Sequence, residues 1–382
     1  MSSPISLQAV FERFLPTYQS QHSLTPIQQK ACWHIEQCRT EALGGLQQHC
    51  NHCGFEQPQY HSCRDRHCPQ CQGQAQHAWC QQQLQAVLPV TYYHLVFTLP
   101  HTLNAWVELH PEVIYRGLFQ SVWDTLNRFA HDPKRLHGTL GMTAVLHTWG
   151  QNLSRHVHLH CLVAGGALTE SGDWHATKSN YLFPVRALSR SFRGRMVSHL
   201  RQSAQRGELH RITRPAEIDA TLDGLMKTNW VVYTKSYLNR PETVVRYLAR
   251  YSRKTALSNG RIHQIDDNQV HLRYKDYRDH DRHKVMVLDG KELVRRFLLH
   301  ILPTGFMRIR HYGFLANRCR RQKLAQIRQS LKTQAEQESI EPVALDKAST
   351  VPVVEKLPCC PRCKTGRLIV VGEISPKRSE YG

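Results

Sequence analysis

Residues 155–166 read RHVHLHCLVAGG, with histidine and aliphatic side chains alternating strictly until two glycines end the run. A side-chain period of two is the signature of a β-strand. His156, His158 and His160 therefore project from one face, and Val157, Leu159 and Cys161 from the other, into a core. Imidazoles two apart on a strand stand roughly 6.6 Å apart at the backbone, close enough to converge on one cation. A solvent face that happens to be rich in histidine is the competing reading, because the chain holds 25 histidines. The clean apolar pattern on the opposite face favours His158 and His160 as metal ligands. Two imidazoles do not complete a coordination sphere, and His94, His147 and His156 are the candidates for a third ligand.

The neighbours of this strand define the fold class. Residues 91–100 (TYYHLVFTLP) are aromatic and β-branched and read as a buried strand, followed by a helical stretch over 103–130 and a second strand over 139–149. Strand, helix, strand, strand in this order predicts an α+β protein, with the histidines on an inner strand of an antiparallel sheet. Upstream, residues 1–45 read as short helices, with Leu7, Val10, Phe11 and Phe14 on one stripe and Thr25-Pro26 as a helix start. Downstream come an extended passage near 174–185, an arginine-rich helix and a strand at 229–237. Strands at 261–265, 269–274 and 283–288 and a helix at 291–302 follow. Residues 330–357 lack a periodic apolar face and read as a linker.

Composition points to a polyanionic partner. The chain's 382 residues carry 50 Lys and Arg against 30 Asp and Glu, a net charge of +20. Residues 186–214 hold eight arginines and one acid, Glu208, and residues 308–328 hold seven basic residues and no acid. Seven tryptophans and 14 tyrosines add stacking surface, which suits single-stranded nucleic acid. No signal peptide opens the sequence, and no apolar run approaches the roughly 18 residues of a membrane span. The 13 cysteines, an odd number clustered in CxxC pairs, indicate a reducing compartment and zinc rather than disulfides.

The strongest zinc signal lies in 49–71, HCNHCGFEQPQYHSCRDRHCPQC, where Cys50 and Cys53 are separated from Cys68 and Cys71 by 14 residues. Two such knuckles predict a tetrahedral four-cysteine site, with Cys63 and His67 as spare ligands. Arg64 and Arg66, between the knuckles, suit phosphate contacts. The CCPRC near the end of the chain supplies a single knuckle, Cys360 and Cys363, and reads as half a zinc site or the remnant of one.

A second informative segment is 240–261, RPETVVRYLARYSRKTALSNGR. Pro241 suits a helix start, and Val244, Val245 and Leu248 make its buried stripe. Tyr247 and Tyr251 lie four apart on one side, surrounded by Arg246, Arg250, Arg253 and Lys254. Plain packing of both tyrosines is the alternative. Together with the histidines they suggest one chemistry: a cation on His158 and His160 polarises a scissile phosphate, and a tyrosine phenolate attacks it. Phenol has a reference pKa of about 10, so cationic neighbours must favour its ionised form. The products are a phosphotyrosine and a free 3′ hydroxyl, and a second tyrosine lets two strand ends be held in succession.

Five segments in order, SCRDRHCPQCQ (62–72), YYHLVFTLPHTLN (92–104), HVHLHCLVAGGAL (156–168), YLARYSRKTALSNGRI (247–262) and RIRHYGFLANR (308–318), closely resemble the rolling-circle transposases of the insertion-sequence ninety-one family. These are HUH (His-hydrophobic-His) enzymes with an N-terminal zinc-binding domain. The resemblance implies cleavage and rejoining of single-stranded DNA at transposon ends through a 5′-phosphotyrosine, in the bacterial cytoplasm and on the nucleoid. By position, His158 and His160 match the HUH pair and Tyr247 and Tyr251 the two nucleophiles. Val157 stands where proline is frequent, and the terminal cysteine cluster looks incomplete. The expected organisation is a helical lead-in with a Zn2+-binding module over 1–88, a catalytic domain over 89–328 using Mg2+ or Mn2+, and a linker and cysteine-containing tail over 329–382. The rivals are a histidine-triad nucleotide hydrolase, a plasmid replication initiator or relaxase, and a zinc-ribbon DNA-binding protein without catalysis. The histidine-triad fold leaves the cysteines and tyrosines unexplained. Oligomeric state stays open.

Overall fold

The computed structural model describes residues 5–72, 86–177, 182–212, 214–238, 243, 255–276, 279–337 and 357–377. Helix α1 (Leu7–Gln19) starts where the Ser6 side chain accepts from Ala9 N, and it buries the expected stripe of Leu7, Val10, Phe11 and Phe14. Helix α2 (Pro26–Glu36) opens with a capping box: Thr25 accepts from the Gln28 amide and Gln28 accepts from the Thr25 amide. The chain then turns into the hairpin β1 (Gly45–Cys50) and β2 (Glu56–Tyr60), which carries the first cysteine knuckle at its tip.

The main sheet begins with β3 (Tyr92–Thr98). The helical stretch that follows is two helices, α3 (Asn104–Leu109) and α4 (Pro111–Ala130), because His110 precedes a proline and leaves the helical region at φ −136. Next come β4 (Gly141–Trp149), β5 (Arg155–Ala164) and the short pair β6 (Gly166–Leu168) and β7 (Trp174–Ala176). Helices α5 (Val185–Gln205) and α6 (Pro215–Lys227) lead to β8 (Val232–Leu238). The extended passage expected to continue to 185 gives way to helix there, and 178–181 lie outside the described residues.

Three antiparallel strands, β9 (Ile262–Ile265), β10 (Gln269–Asp276) and β11 (Arg282–Asp289), feed directly into α7 (Gly290–Leu298), capped by Asp289. This helix packs on α1, with Phe11 edge-on to Phe297 at 5.4 Å, so the N-terminal helices share one core with β9, β10 and α7. The chain closes the main sheet with β12 (Ile309–Gly313), continues into α8 (Arg320–Gln337) and ends in β13 (Leu368–Ile374). The linker expected from 330 therefore starts no earlier than the end of α8.

The main sheet is antiparallel throughout, in the order β12-β4-β5-β3-β8, which puts the histidine strand at its centre. One face is a continuous apolar layer: Val157, Leu159, Cys161, Tyr93, Leu95, Phe97 and Leu146 are at most 1% exposed and pack beneath α4 and α5. At about 25 cal/mol per Å2 of apolar surface removed from water, such side chains stabilise the fold by roughly 1.5–3 kcal/mol each. The other face carries the histidines. Beyond them, Tyr92, Leu162 and Ala164 pack with Leu324 and Ile327 of α8.

Candidate functional site

Antiparallel register builds the histidine cluster. His147 on β4 stands directly opposite His158 on β5, and residues directly opposite share a face. His147, His158 and His160 thus converge, their nitrogens all within 4.8 Å of one another. Of the three third-ligand candidates, His147 is the one brought into this group. Its ring is 3% exposed and stacks on Trp149 at 4.6 Å, which fixes its plane.

Hydrogen bonds orient the other two rings. The Nδ1–H of His158 donates to the His156 carbonyl at 2.8 Å, turning Nε2 toward the cluster. His160 Nδ1 and His94 Nε2 lie 2.9 Å apart with the rings nearly parallel. With His160 donating, its Nε2 is the nitrogen left for a ligand, and His94 is a positioning residue behind it. Burial, with a smaller contribution from His158, pushes the His94 pKa down to about 4, and burial pushes His158 down to about 4. Both are neutral imidazoles at pH 7, the form that binds metal. His156 lies beside both His158, at 4.9 Å between ring centroids, and His101, at 5.3 Å, but is not one of the three that converge on a common point. On edge strand β8, Tyr233 and Lys235 stand opposite Val96 and His94, on the histidine face, and both are exposed.

The cysteines group differently from the expected quartet. Cys50 and Cys53 lie with Cys360 and Cys363, whereas Cys68 and Cys71 lie with Cys38 and Cys63. The β1–β2 hairpin carries the first knuckle away from the second, which packs against the end of α2. In the Cys38 group, sulfurs of Cys38 and Cys63 each approach Cys71 to 3.5 Å. His67 is not a ligand: its Nε2 accepts from Leu302 N at 3.1 Å and its Nδ1 lies 2.9 Å from Asp65. Burial works against the charge of Asp65, yet hydrogen bonds from His34 and His67 hold its carboxyl well below the usual range. Arg66 does not face outward for phosphate. Its guanidinium donates to the carbonyls of Phe306 and Pro303, fastening the knuckle loop to the segment before β12.

The helix expected to carry Tyr247 and Tyr251, with Arg246, Arg250, Arg253 and Lys254, lies outside the described residues. The arginine-rich run of 186–214 is largely α5, on the sheet face opposite the histidines. Several of its arginines hold the helical layer together: Arg201 pairs with Asp223 at 2.6 Å, Arg193 donates to Thr228 O at 2.6 Å and Arg206 pairs with Glu208 at 2.9 Å.

The sequence of this chain matches two family models. One, described as "Putative transposase", covers residues 141–323, and the other, "Transposase zinc-binding domain", covers residues 10–99. "Putative transposase y4qJ" of Sinorhizobium fredii is 41% identical over 372 residues, covering 95% of this chain and 94% of the relative. "Transposase for insertion sequence element IS801" of Pseudomonas savastanoi pv. phaseolicola is 28% identical over 309 residues, 77% of this chain and 72% of the relative. No solved structure matches. The fold and these relatives define a DNA transposase with a zinc-binding domain. The chain belongs to the insertion-sequence ninety-one family of transposases. No helix among the described residues is long and apolar enough to cross a membrane.

Proposed function

We propose that the protein cleaves and rejoins single-stranded DNA at transposon ends through a 5′-phosphotyrosine intermediate, driving rolling-circle transposition. The observation that carries this reading is the convergence of His147, His158 and His160 on the central strand, on the face away from α4 and α5. These three residues would hold a divalent cation; the reaction suits Mg2+ or Mn2+, whereas imidazole itself prefers later transition metals. When bound, the cation supplies Lewis-acid polarisation of the scissile phosphate. His94 and the His156 carbonyl keep the ligand rings aimed.

Tyr247 and Tyr251 are the nucleophiles. The phenolate oxygen of one attacks phosphorus, the bond from phosphorus to the 3′ oxygen breaks, and that oxygen leaves as a hydroxyl after taking a proton. Attack of a 3′ hydroxyl on the phosphotyrosine reverses the step and joins the strands. Arg246, Arg250, Arg253 and Lys254 neutralise backbone phosphates beside the tyrosines, and Tyr233 and Lys235 extend the DNA-facing surface along β8. Cys38, Cys63, Cys68 and Cys71 hold a structural zinc. The working compartment is the bacterial cytoplasm and, when bound to donor or target DNA, the nucleoid.

A plasmid replication initiator would share this chemistry, but the named relatives are transposases, which favours transposon ends as substrate. A non-catalytic zinc-ribbon protein would have no use for the oriented histidines. The test is incubation of the full chain with end-labelled single-stranded terminal DNA and Mn2+, resolved on denaturing gels. A covalent adduct that is lost in the His158→Ala/His160→Ala and Tyr247→Phe/Tyr251→Phe variants supports the reading. Tight binding without any adduct refutes it.

A further inference from the structure

The second cysteine group is separate from the histidine cluster, and half of it, Cys360 and Cys363, lies outside the 10–99 span of the zinc-binding family model. Cys50 and Cys53 sit at the tip of the β1–β2 hairpin, and Cys360 and Cys363 arrive from the other end of the chain. Cys50 and Cys363 sulfurs are 3.8 Å apart, and those of Cys53 and Cys360 3.7 Å apart. A tetrahedral four-thiolate zinc site with zinc–sulfur bonds of about 2.3 Å has sulfur–sulfur edges of about 3.8 Å. We propose that Cys50, Cys53, Cys360 and Cys363 form a second zinc site, distinct from the Cys38 group, which clamps the C-terminal tail onto the N-terminal hairpin.

The two knuckles are built alike. In each, the residue after the second cysteine has left-handed backbone, Gly54 at φ 71 and Lys364 at φ 62, and its amide donates to the carbonyl of the first cysteine. In each, a backbone amide points at a sulfur: Cys53 N to Cys50 Sγ at 3.5 Å, and Gly366 N to Cys363 Sγ at 3.3 Å. Amides aimed at sulfur favour the thiolate that a metal requires. Between the knuckles, β13 pairs with β1 over its whole length, from Gly45 opposite Ile374 to Cys50 opposite Leu368. Glycine permits the close approach at both ends of this ladder. A Cβ at Gly366 would lie 2.4 Å from the Cys50 sulfur, and one at Gly44 would lie 2.5 Å from the Ile374 carbonyl oxygen.

Apolar burial does not explain the docking. The buried cluster here is Cys50, Cys360 and Leu368, while Ile369, Val370 and Val371 of β13 remain exposed. A module with so little core is the kind that a metal organises, and half of its ligands are themselves the buried residues. The clamp also closes a long loop, since Cys50 and Cys363 are 313 residues apart in sequence. This site is independent of the catalytic reading, and its test does not depend on DNA cleavage.

The experiment is zinc stoichiometry on the full chain purified under reducing conditions, by elemental analysis and native mass spectrometry. Hydrogen exchange of β13 is measured in parallel. The count is made on the chain carrying His158→Ala/His160→Ala, so that zinc on the histidine cluster does not enter it, and the expected result is two zinc ions per chain. Cys50→Ser/Cys53→Ser and Cys360→Ser/Cys363→Ser each retain one, and the variant lacking all four cysteines also retains one, since both knuckles hold the same ion. In the Cys360→Ser/Cys363→Ser variant β13 exchanges freely while β5 stays protected, which separates tail release from global unfolding. Two ions retained after loss of Cys360 and Cys363 would overturn the proposal. So would one ion in the chain with all its cysteines, or two disulfides in place of the second ion.

Discussion

Replacing His94 tests how the histidine platform is held. Its ring is 6% exposed, and its Nε2 lies 2.9 Å from His160 Nδ1, which ties His160 to a side chain on β3. In His94→Leu the acceptor is gone, and the His160 ring can turn or adopt the tautomer that points a proton at the cluster. Loss of a hydrogen-bond partner behind a metal-ligating histidine weakens metal affinity by about 10- to 100-fold, or about 1.4–2.7 kcal/mol. His94→Gln supplies an amide oxygen that can accept the same proton, so it should recover most of the loss. Mn2+ binding is read directly from the disappearance of the free-ion electron paramagnetic resonance signal during titration. Wild-type Mn2+ affinity in the leucine variant would refute the positioning role. A loss in the glutamine variant as large as in His158→Ala would also refute it, because it would make His94 a ligand in its own right.

Three further perturbations follow. Arg66→Ala should destabilise the protein by about 1–3 kcal/mol, because it removes the guanidinium donor from the Phe306 carbonyl, while the Pro303 carbonyl keeps the Phe306 amide. The same variant should leave the salt dependence of DNA binding unchanged; a slope lower by about one would return Arg66 to phosphate contact. His300 is buried between Thr148 Oγ1 at 3.1 Å and the Leu153 carbonyl at 3.0 Å, and burial pushes its pKa down to about 4. The unfolded chain, with a histidine pKa of about 6.5, therefore takes the proton first as pH falls. Stability is full above about pH 6.5 and declines toward pH 4, by about 2 kcal/mol at pH 5, and urea unfolding of His300→Gln should lack that part of the decline. Leu159→Ala empties a 0%-exposed position beneath the histidine strand and should cost about 2–5 kcal/mol in unfolding free energy, measured by denaturant titration.

What could be seen in the sequence depended on whether the signal was local. The alternation in 155–164 sets strand, faces and core together, so β5 and its buried odd-numbered residues were legible. So was the helix start at Thr25-Pro26, a signal carried by adjacent residues. The third histidine was legible only as one of three candidates, because choosing His147 requires the β4–β5 register, a property of the pairing of two strands. The break at His110 followed from the proline at 111, although the apolar period continues through it. Cysteine spacing misled for a physical reason: 14 intervening residues suit one site, but here they include strand β2, which runs from the first knuckle at the hairpin tip back to the second. Cys38 carried no motif of its own, being a lone buried cysteine just after α2. The terminal knuckle read as half a site or its remnant, and the cysteines it lies with, Cys50 and Cys53, are near the other end of the sequence, where proximity gives no hint. Arg66 looked free because its acceptors are backbone carbonyls in a loop distant in sequence.

The most direct measurement is mass-spectrometric mapping of the protein–DNA adduct formed with single-stranded terminal DNA and Mn2+. The account predicts a nucleotide remnant attached through a phosphate to Tyr247 or Tyr251. An adduct on a histidine of β5, or on any residue outside that tyrosine pair, would contradict it.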